Sequence, residues 1–373
     1  MPELHTVATP FRVAPADAVD FSTLRRVLLV KLRHHGDVLL ASPVPQVLKN
    51  HFPQLEIDAL VYADTAPMLQ DHPALSQLHL IERQGKRQGL LRWLRQEWQL
   101  WRTLRGRQYD LLIHLTDGRR GTWLARWLGV RYSVAQRTGK RGWKKAFTHL
   151  FTTARKGNSR HTVEYHLDAL RRLGLYPDEQ ERKLVLQPGT AATARVGEVL
   201  HGLGLSPKGF LHIHPPSRWL FKCWSVEQMA ALIDRLTGEG WPVVLTGAPN
   251  DAERALNAAI QQRLSRPVHD LTGQLSLREL AALTAEARLF IGVDSAPMHM
   301  AAAMATPTVA LFGPSGDIEW APWQVPARVL VSSHACRPCG HDGCGGGKRS
   351  ECLTTLSVEQ VHQAVQSLLA ETA

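Results

Sequence analysis

The stretch Leu289–Ala303, LFIGVDSAPMHMAAA, decides the fold of this 373-residue chain. Its first five residues form an uninterrupted apolar run, which is typical of a parallel strand buried on both faces. Asp294 follows this run, and a helix of small residues begins at Ser295–Ala296. Free N–H groups at a helix start bind anions, and His299 lies about one helical turn later, where it can face the same ligand. Each residue also has a purely structural interpretation. Asp294 could cap the helix, and His299 could be an ordinary helix residue with a hydrogen bond.

The same order of strand, turn and helix recurs on both sides of this stretch. Alternating strands and helices predict an α/β protein with two doubly wound parallel sheets, and the length suits two domains of Rossmann size. Ligands of such sheets bind beyond the carboxyl ends of the strands. The predicted strands are Arg26–Leu32, Ile57–Val61, Leu78–Ile81, Leu111–Leu115, Phe210–His214, Val243–Thr246, Leu289–Val293 and Thr308–Phe312. The predicted helices are Val38–Asn50, Gln88–Leu104, His161–Leu173, Val226–Leu236, Ala252–Leu264, Leu277–Ala285, Ala296–Ala303 and Val358–Leu369.

Two further strand exits hold charged side chains. In Lys31–Asp37 (KLRHHGD), Gly36 permits close approach of a ligand, and Asp37 stands at the start of a helix. Asp37 is therefore either a helix N-cap or a general base. In the loop after the first strand of the second half, Arg218 and Lys222 can neutralise the charge on a leaving nucleotide. The alternative for both cations is a solvated loop position.

Positive charge is concentrated in one half of the chain. The net charge of +11 and the pI near 9.7 indicate an acidic partner. Residues 83–160 contain 20 Lys and Arg against 3 Asp and Glu. Tryptophans interleaved with these cations also allow a non-catalytic nucleic-acid-binding protein. Since no apolar run approaches the roughly 20 residues that cross a bilayer, and the N-terminus lacks a secretory-signal pattern, we expect a cytoplasmic protein.

Four of the five cysteines lie close together in the sequence, at Cys336, Cys339, Cys344 and Cys352. Their spacing supplies enough soft ligands for a structural zinc site, with reduced free thiols as the alternative. The chain lacks the G-x-G-x-x-G, G-x-x-x-x-G-K-[ST] and H-E-x-x-H patterns. Dehydrogenase, P-loop NTPase and zinc protease functions are therefore disfavoured.

Several segments together resemble the family 9 glycosyltransferases, the heptosyltransferases of the lipopolysaccharide core. They are KLRHHGD with VLLASPV, FKCW around Lys222, VVLTGAP at Val243–Pro249, and IGVDSAPMHMAAA followed by LFGPS. The resemblance extends from about Arg25 to the C-terminal helix and is strongest with the branch that adds a third, branching heptose. It implies a GT-B fold, in which two Rossmann-like domains face each other across a cleft. The implied domains are residues 1–186 for the acceptor, with 1–24 a poorly ordered lead-in, residues 187–354 for the ADP-sugar, and residues 355–373 as a helix returning to the first domain.

The resemblance also implies residue roles. Asp37 is the expected general base, and Lys222 with the backbone of Ser295 and Ala296 is expected at the donor diphosphate. Asp294 is expected near the heptose and phosphates, with His299 close by. The remaining donor positions are Asp251 at the ribose, Leu275 at the adenine and Arg218 on one side of the diphosphate. Acceptor-binding cations are expected at Lys140, Arg141, Lys144 and Lys145.

The implied reaction moves L-glycero-D-manno-heptose from ADP-heptose to a heptose of the inner core, with inversion and without a required metal or cofactor. The expected protein is a monomer that contacts the acceptor (heptose–Kdo–lipid A) at the cytoplasmic face of the inner membrane and binds no nucleic acid. Two alternatives stay open at this point. One is a GT-B transferase using a different nucleotide sugar, and the other is the basic nucleic-acid-binding protein.

Overall fold

A computed structural model describes residues 14–83, 89–138, 142–152 and 158–373, and within these residues the chain forms two six-stranded parallel sheets covered by helices. The strands of the first half are β1 (Arg26–Val30), β2 (Glu56–Tyr62), β3 (Gln77–Ile81), β4 (Leu111–His114), β5 (Tyr132–Gln136) and β6 (His149–Phe151). Its helices are α1 (His35–Leu39), α2 (Pro43–His51), α3 (Leu90–Gly106), α4 (Arg119–Trp127), α5 (Trp143–Ala146) and α6 (Thr162–Arg172).

The second half repeats this alternation of strands and helices. Its strands are β7 (Leu211–His214), β8 (Val243–Leu245), β9 (His269–Asp270), β10 (Leu289–Val293), β11 (Thr308–Phe312) and β12 (Ala327–Val331). Its helices are α7 (Thr190–Gly202), α8 (Val226–Gly238), α9 (Asp251–Gln261), α10 (Leu277–Glu286), α11 (Ala296–Ala303), α12 (Glu351–Thr354) and α13 (Val358–Glu371). None of the described helices combines the length and apolar character needed to cross a bilayer.

Both sheets have the same strand order. The order of the first sheet is β3-β2-β1-β4-β5-β6, and that of the second, starting from the edge strand β9, is β9-β8-β7-β10-β11-β12. This is the order of a dinucleotide-type doubly wound sheet, with its topological switch point between the first and fourth strands of each half. The predicted α/β fold with two Rossmann-like halves is confirmed. In the second half the switch point lies between β7 and β10, which are the strands that precede Lys222 and Asp294 in the chain.

One apolar cluster contains residues of both halves. Leu280 and Ala281 of α10, and Met300 and Ala302 of α11, are buried in the same cluster as the helices and strands of the first half. Burial of this kind fixes the relative position of the two sheets because separating them would expose the apolar area again.

The segment after β11 also crosses to the first half. The Trp323 indole N–H donates to the Arg182 carbonyl at 2.7 Å, and the Trp323 ring stacks on His161 with centroids 4.4 Å apart. The Thr162 N–H donates to the Glu319 carbonyl at 2.9 Å. Residues 316–325 therefore form a second connection between the halves.

The prediction that the last helix returns to the first domain is wrong. The apolar face of α13, including Val361, Val365 and Leu368, is buried in the core of the second sheet. The Arg288 guanidinium of the second half donates to the carbonyls of Leu369 and Thr372 at its end. The amphipathic pattern predicted the helix but carried no information on which sheet covers it.

The predicted lead-in is also wrong for the part that the structure describes. Residues 1–13 lie outside the described residues. Val19, Phe21 and Leu24 are buried in the first core, and the Phe21 ring stacks on Phe52 at 5.0 Å. The chain is thus packed from about residue 19 onward, while the predicted boundary at 186/187 lies between the buried Leu186 and the start of α7.

Candidate active site

Two helix starts, one from each half, meet at the proposed site. A Cβ atom added to Gly36 in α1 would lie 2.9 Å from Cδ2 of His299 and 3.8 Å from Cα of Ala296, both in α11. This contact is close enough that only glycine fits without displacing the imidazole. The segment after the first strand, which contains Gly36 and Asp37, and the segment that follows Asp294 are therefore close together at the boundary between the halves.

Asp37 lies in the first turn of α1 but is not its N-cap. The cap position belongs to His34, and the helix begins at His35. The Asp37 carboxylate is 23% exposed and lies 3.7 Å from the Lys31 ammonium. The capping alternative for this carboxylate is therefore wrong, and its partly open position is one that a substrate hydroxyl can reach.

Lys31 is a buried cation held from several sides. Its ammonium donates to the Leu115 carbonyl at 3.1 Å and lies 2.9 Å from Nε2 of His166. The other ring nitrogen of His166, Nδ1, lies 2.9 Å from the Leu40 carbonyl and must donate to it. Nε2 is then the acceptor for Lys31. This chain of contacts fixes the ammonium beside Asp37.

Asp294 and Lys222 form an ion pair at the switch point of the second sheet. The Lys222 ammonium lies 2.5 Å from Oδ2 of Asp294, and the carboxylate is nearly buried. Asp294 directly follows β10, and Lys222 ends a short 3-10 helix, Leu220–Lys222, in the loop after β7. The predicted proximity of these two residues is seen in the structure, and the pair leaves the remaining ammonium protons available to an anion.

The start of α11 has the features of an anion site. Pro297 at the second helical position has no N–H, and the Met298 N–H donates to the Ser295 carbonyl. The backbone donors that this helix start can offer are therefore those of Ser295 and Ala296. The Ser295 hydroxyl oxygen is buried and has no hydrogen-bond partner among the described residues.

His299 lies between the acidic residues of both halves. It is 3% exposed, and burial lowers its pKa to about 4, although the charges of Asp294 and Asp37 act in the opposite direction. The imidazole is therefore neutral at neutral pH. Its Nδ1 atom is buried without a hydrogen-bond partner in the described part of the chain, which leaves it available to a bound ligand.

Arg218 extends from the second half to the first. Its Nη1 atom donates to Nδ1 of His34 at 3.0 Å. Because a guanidinium can only donate, Nδ1 of His34 is the acceptor of this bond. Burial, and then the Arg218 charge, lower the pKa of His34. Arg218 is thus placed at the boundary between the halves, beside the start of α1.

Two predicted donor residues lie outside this group of contacts. Asp251 is exposed in the first turn of α9, where Asn250 is the N-cap. Glu253, two residues later, is buried and accepts a hydrogen bond from the Ala248 N–H at 2.7 Å, so its carboxylate holds the preceding loop. Leu275 is half-buried and packs against both cores. No contact of Asp251 or Leu275 tests their predicted roles.

The predicted acceptor cations are only partly described. Lys140 and Arg141 lie outside the described residues, and for Lys144 only the backbone in α5 is described. Lys145 is exposed at the surface of the first half. The acceptor role of this group therefore stays a prediction.

The four clustered cysteines are free thiols in the structure, with Cys352 buried and Cys336 and Cys344 exposed. Across residues 14–83, 89–138, 142–152 and 158–373, no three or more His, Cys, Asp or Glu side chains are grouped so as to hold a metal ion. Zinc binding by the four clustered cysteines therefore stays a prediction.

Sequence reasoning missed a polar cavity beside Asp37. The cavity has a volume of about 280 Å³ and is lined by both halves, including Lys31, Asp37, Thr162, Tyr165, His166 and Trp320. Five of these residues lie in the strand exit KLRHHGD or in the predicted helix His161–Leu173, but no role was predicted for Lys31, Thr162, Tyr165 or His166. Since α6 and α1 are distant in sequence, only the fold could show that they share a wall.

Comparison with known proteins identifies the family. Residues 97–348 match the family described as glycosyltransferase family 9 (heptosyltransferase). The chain is 34% identical over 350 residues to lipopolysaccharide heptosyltransferase 3 of Escherichia coli K12, covering 92% of this chain and 97% of that protein. This chain belongs to glycosyltransferase family 9. The predicted enzyme class is thereby confirmed, and the nucleic-acid-binding alternative is not supported.

Solved structures of family 9 proteins have the same fold. The glycosyltransferase family 9 structure from Veillonella parvula aligns with a TM-score of 0.79 at 23% identity, covering 93% of this chain and 98% of that one. The ADP-heptose lipopolysaccharide heptosyltransferase II of E. coli aligns with a TM-score of 0.72 at 21% identity, covering 93% and 99%. These alignments confirm the predicted GT-B fold.

Proposed function

We propose that this family 9 glycosyltransferase moves heptose from ADP-heptose to a heptose of the lipopolysaccharide inner core, by inversion, without a required metal, and with Asp37 as the general base. The contact between Gly36 and His299 is the observation that carries this proposal. It brings a carboxylate of the first half to the anion site of the second, which is the arrangement a sugar–diphosphate donor needs. The E. coli relative that covers most of the chain is named for the same reaction class.

The reaction forms one bond and breaks one bond at the anomeric carbon. The Asp37 carboxylate accepts the proton of the acceptor hydroxyl. At the same time, the oxygen of that hydroxyl attacks the anomeric carbon from the side of the first half. The bond from that carbon to the diphosphate oxygen breaks, and ADP leaves toward the second half. A single in-line displacement inverts the configuration, and the proton remains on Asp37 until solvent removes it.

The leaving diphosphate gains negative charge on the oxygen that linked it to the anomeric carbon. The proposal assigns the stabilisation of that charge to the Lys222 ammonium and the N–H groups of Ser295 and Ala296; the ion pair of Lys222 with Asp294 and the position of both N–H groups at a helix start support it. Asp294 positions Lys222 and, with the neutral His299, is assigned to the heptose hydroxyls. Arg218 is assigned to the diphosphate, Asp251 to the ribose and Leu275 to the adenine.

Peripheral contact with an anionic membrane completes the proposal. Leu91, Leu94 and Trp98 form an exposed stripe at helical spacing on α3, and arginines flank it, one of them stacked over Trp98. Exposed apolar side chains among cations are typical of helices that lie on anionic bilayers. The proposal assigns the basic residues of 83–160, including Lys140, Arg141, Lys144 and Lys145, to binding of the acceptor at the cytoplasmic face of the inner membrane.

The membrane surface is tested by sedimentation with vesicles of phosphatidylglycerol and phosphatidylethanolamine. Trp98→Glu is expected to reduce the bound fraction several-fold, whereas Val331→Glu, a matched change of an exposed apolar residue in the second half, is expected to leave it unchanged. Equal binding by both variants would contradict this surface.

The decisive test of the proposed function is mass spectrometry of a heptose-terminated core oligosaccharide after incubation with purified protein and a nucleotide sugar. ADP-heptose is expected to add the mass of one heptose, and UDP-glucose is expected to add nothing. A product with UDP-glucose alone would favour a GT-B transferase with a different donor. Turnover is expected to be retained in EDTA, because no metal takes part in the proposed transfer. Separately, a stoichiometric metal in the purified protein would support a structural zinc at the cysteine cluster.

A further inference from the structure

The cavity of about 280 Å³ beside Asp37 has no place in the donor site described above. Its floor includes Lys31 and Asp37, one wall is the start of α6, and Trp320 closes it from the second half. It therefore opens next to the proposed base on the side of the first half. Asp37 lines the cavity, whereas Lys222 and the start of α11 are outside its lining.

Two hydroxyl groups of α6 are buried in the wall of this cavity without a partner. Thr162 and Tyr165 are each 5% exposed, and neither Oγ1 of Thr162 nor the phenolic oxygen of Tyr165 has a hydrogen bond among the residues that the structure describes. Buried hydroxyls are normally paired because losing water without a replacement costs free energy. Two unpaired hydroxyls one turn apart on the same helix therefore indicate a ligand that supplies the missing partners.

The fold does not need these hydroxyls to hold α6 in place. The helix is positioned by the His161 ring, which packs on Trp323 and lies 2.9 Å from the Ala321 carbonyl, and by His166, which bridges Leu40 and Lys31. The hydroxyls of Thr162 and Tyr165 are thus not among the contacts that position the helix. Valine and phenylalanine at these positions would build the same helix.

We propose that this cavity binds the acceptor sugar, and that Thr162 and Tyr165 select it by hydrogen bonds to its hydroxyl groups. The proposal rests on the proposed function and names the site of the polyhydroxylated acceptor within it. The Trp320 side chain supplies an apolar face for the C–H groups of a sugar ring. Arg137 in the lining suits an anionic substituent of the core, whereas Arg33 is paired with Asp117 at 2.6 Å. A sugar held there places one of its hydroxyls at Asp37.

Titration calorimetry with a delipidated, heptose-terminated core oligosaccharide tests this site without the donor. Tyr165→Phe and Thr162→Val are each expected to weaken binding about five- to tenfold, the loss typical of a single hydrogen bond to a ligand. Thr190→Val, at the same first helical position of the exposed start of α7, and Tyr132→Phe, outside the cavity, are the matched controls and should bind as wild type.

A purely structural role would give a different result. Because their hydroxyls are unpaired, Tyr165→Phe and Thr162→Val are expected to keep or raise the Tm, and to raise the acceptor KM while the donor KM stays constant. Unchanged oligosaccharide affinity in both variants, or no binding by the wild type, would overturn the acceptor site. Binding to the wild type without heptose transfer would instead overturn the proposed function and leave this site standing.

Discussion

At the scale of single residues, the charged groups of the site were largely predictable because their types and positions after strands reflect their chemistry. Lys222 pairs with Asp294, the charge of Asp294 acts on His299, and Gly36, which precedes Asp37, lies against His299 across the boundary between the halves. The unpredicted residues are those whose role depends on what faces them. Thr162 and Tyr165 belong to an ordinary amphipathic helix in the sequence, and only the cavity shows that their hydroxyls are buried without partners.

Asp37→Asn tests the general base at this scale. The amide keeps the shape of the side chain but cannot accept the proton, so the transfer rate is expected to fall by about a hundred- to ten-thousand-fold. ADP affinity should change little, because the proposal assigns the diphosphate to Lys222 and the backbone of Ser295 and Ala296, and assigns no contact with ADP to Asp37. Rapid-quench turnover together with calorimetry of ADP binding provides both values, and near-normal turnover would exclude this role for Asp37.

At the scale of elements, long amphipathic helices and buried strands were predicted, whereas the helices α4, α5, α7 and α12 were missed together with four strands. The predicted helix at Val226–Leu236 lies within α8, because a long amphipathic stripe defines a helix locally. The strands β5, β6, β9 and β12 were not predicted, since they are short or half-exposed at sheet positions where apolar runs are not required. The single helix predicted at Val38–Asn50 is divided into α1 and α2, the second of which begins at Pro43.

The contact between α1 and α11 is tested by Gly36→Ala. The added methyl would lie 2.9 Å from the His299 ring and must displace it, so ADP affinity and transfer are both expected to fall, by about tenfold or more. The matched control is Gly197→Ala in α7, where an added Cβ meets nothing within 4 Å. That change is expected to raise stability by about 0.5–1 kcal/mol with no effect on ADP affinity. Equal ADP affinity in both variants, measured by calorimetry, would contradict the assigned contact.

At the scale of the whole molecule, the two sheets could be predicted but their arrangement could not. Apolar runs determine that buried parallel strands exist, whereas the pairing of surfaces depends on which faces are complementary. The last helix packs on the second sheet, and residues 316–325, which had no predicted role, connect the second half to α6. The position of the cavity beside Asp37 depends on this connection, so it was beyond prediction from the sequence.

Buried histidines make the whole fold sensitive to acid. Burial lowers the pKa of His72, His161 and His299 to about 4 and that of His214 to about 3, from an ordinary 6.5. As the pH falls below 6.5, the unfolded chain binds protons that the folded chain does not bind until about pH 4. The free energy of unfolding is therefore expected to decrease steadily between these values.

Urea unfolding at pH 7, 6 and 5 measures this loss. The carboxylates with a lowered pKa, such as Asp17 and Asp58 at about 2, lose their stabilising effect only below about pH 3.8, so the two groups act in separate pH ranges. A free energy of unfolding that stays constant from pH 7 to pH 5 would show that these histidines are not buried as neutral groups.

The central claim is that a sugar diphosphate lies between the two helix starts, with its phosphates on the second half and its anomeric carbon toward the first. A crystal structure with a non-transferable fluorinated analogue of ADP-heptose tests it most directly. We expect the diphosphate within hydrogen-bond distance of the Lys222 ammonium and the Ser295 and Ala296 N–H groups, with the anomeric carbon facing Asp37. A diphosphate bound away from the start of α11, or a heptose turned away from Asp37, would contradict the claim.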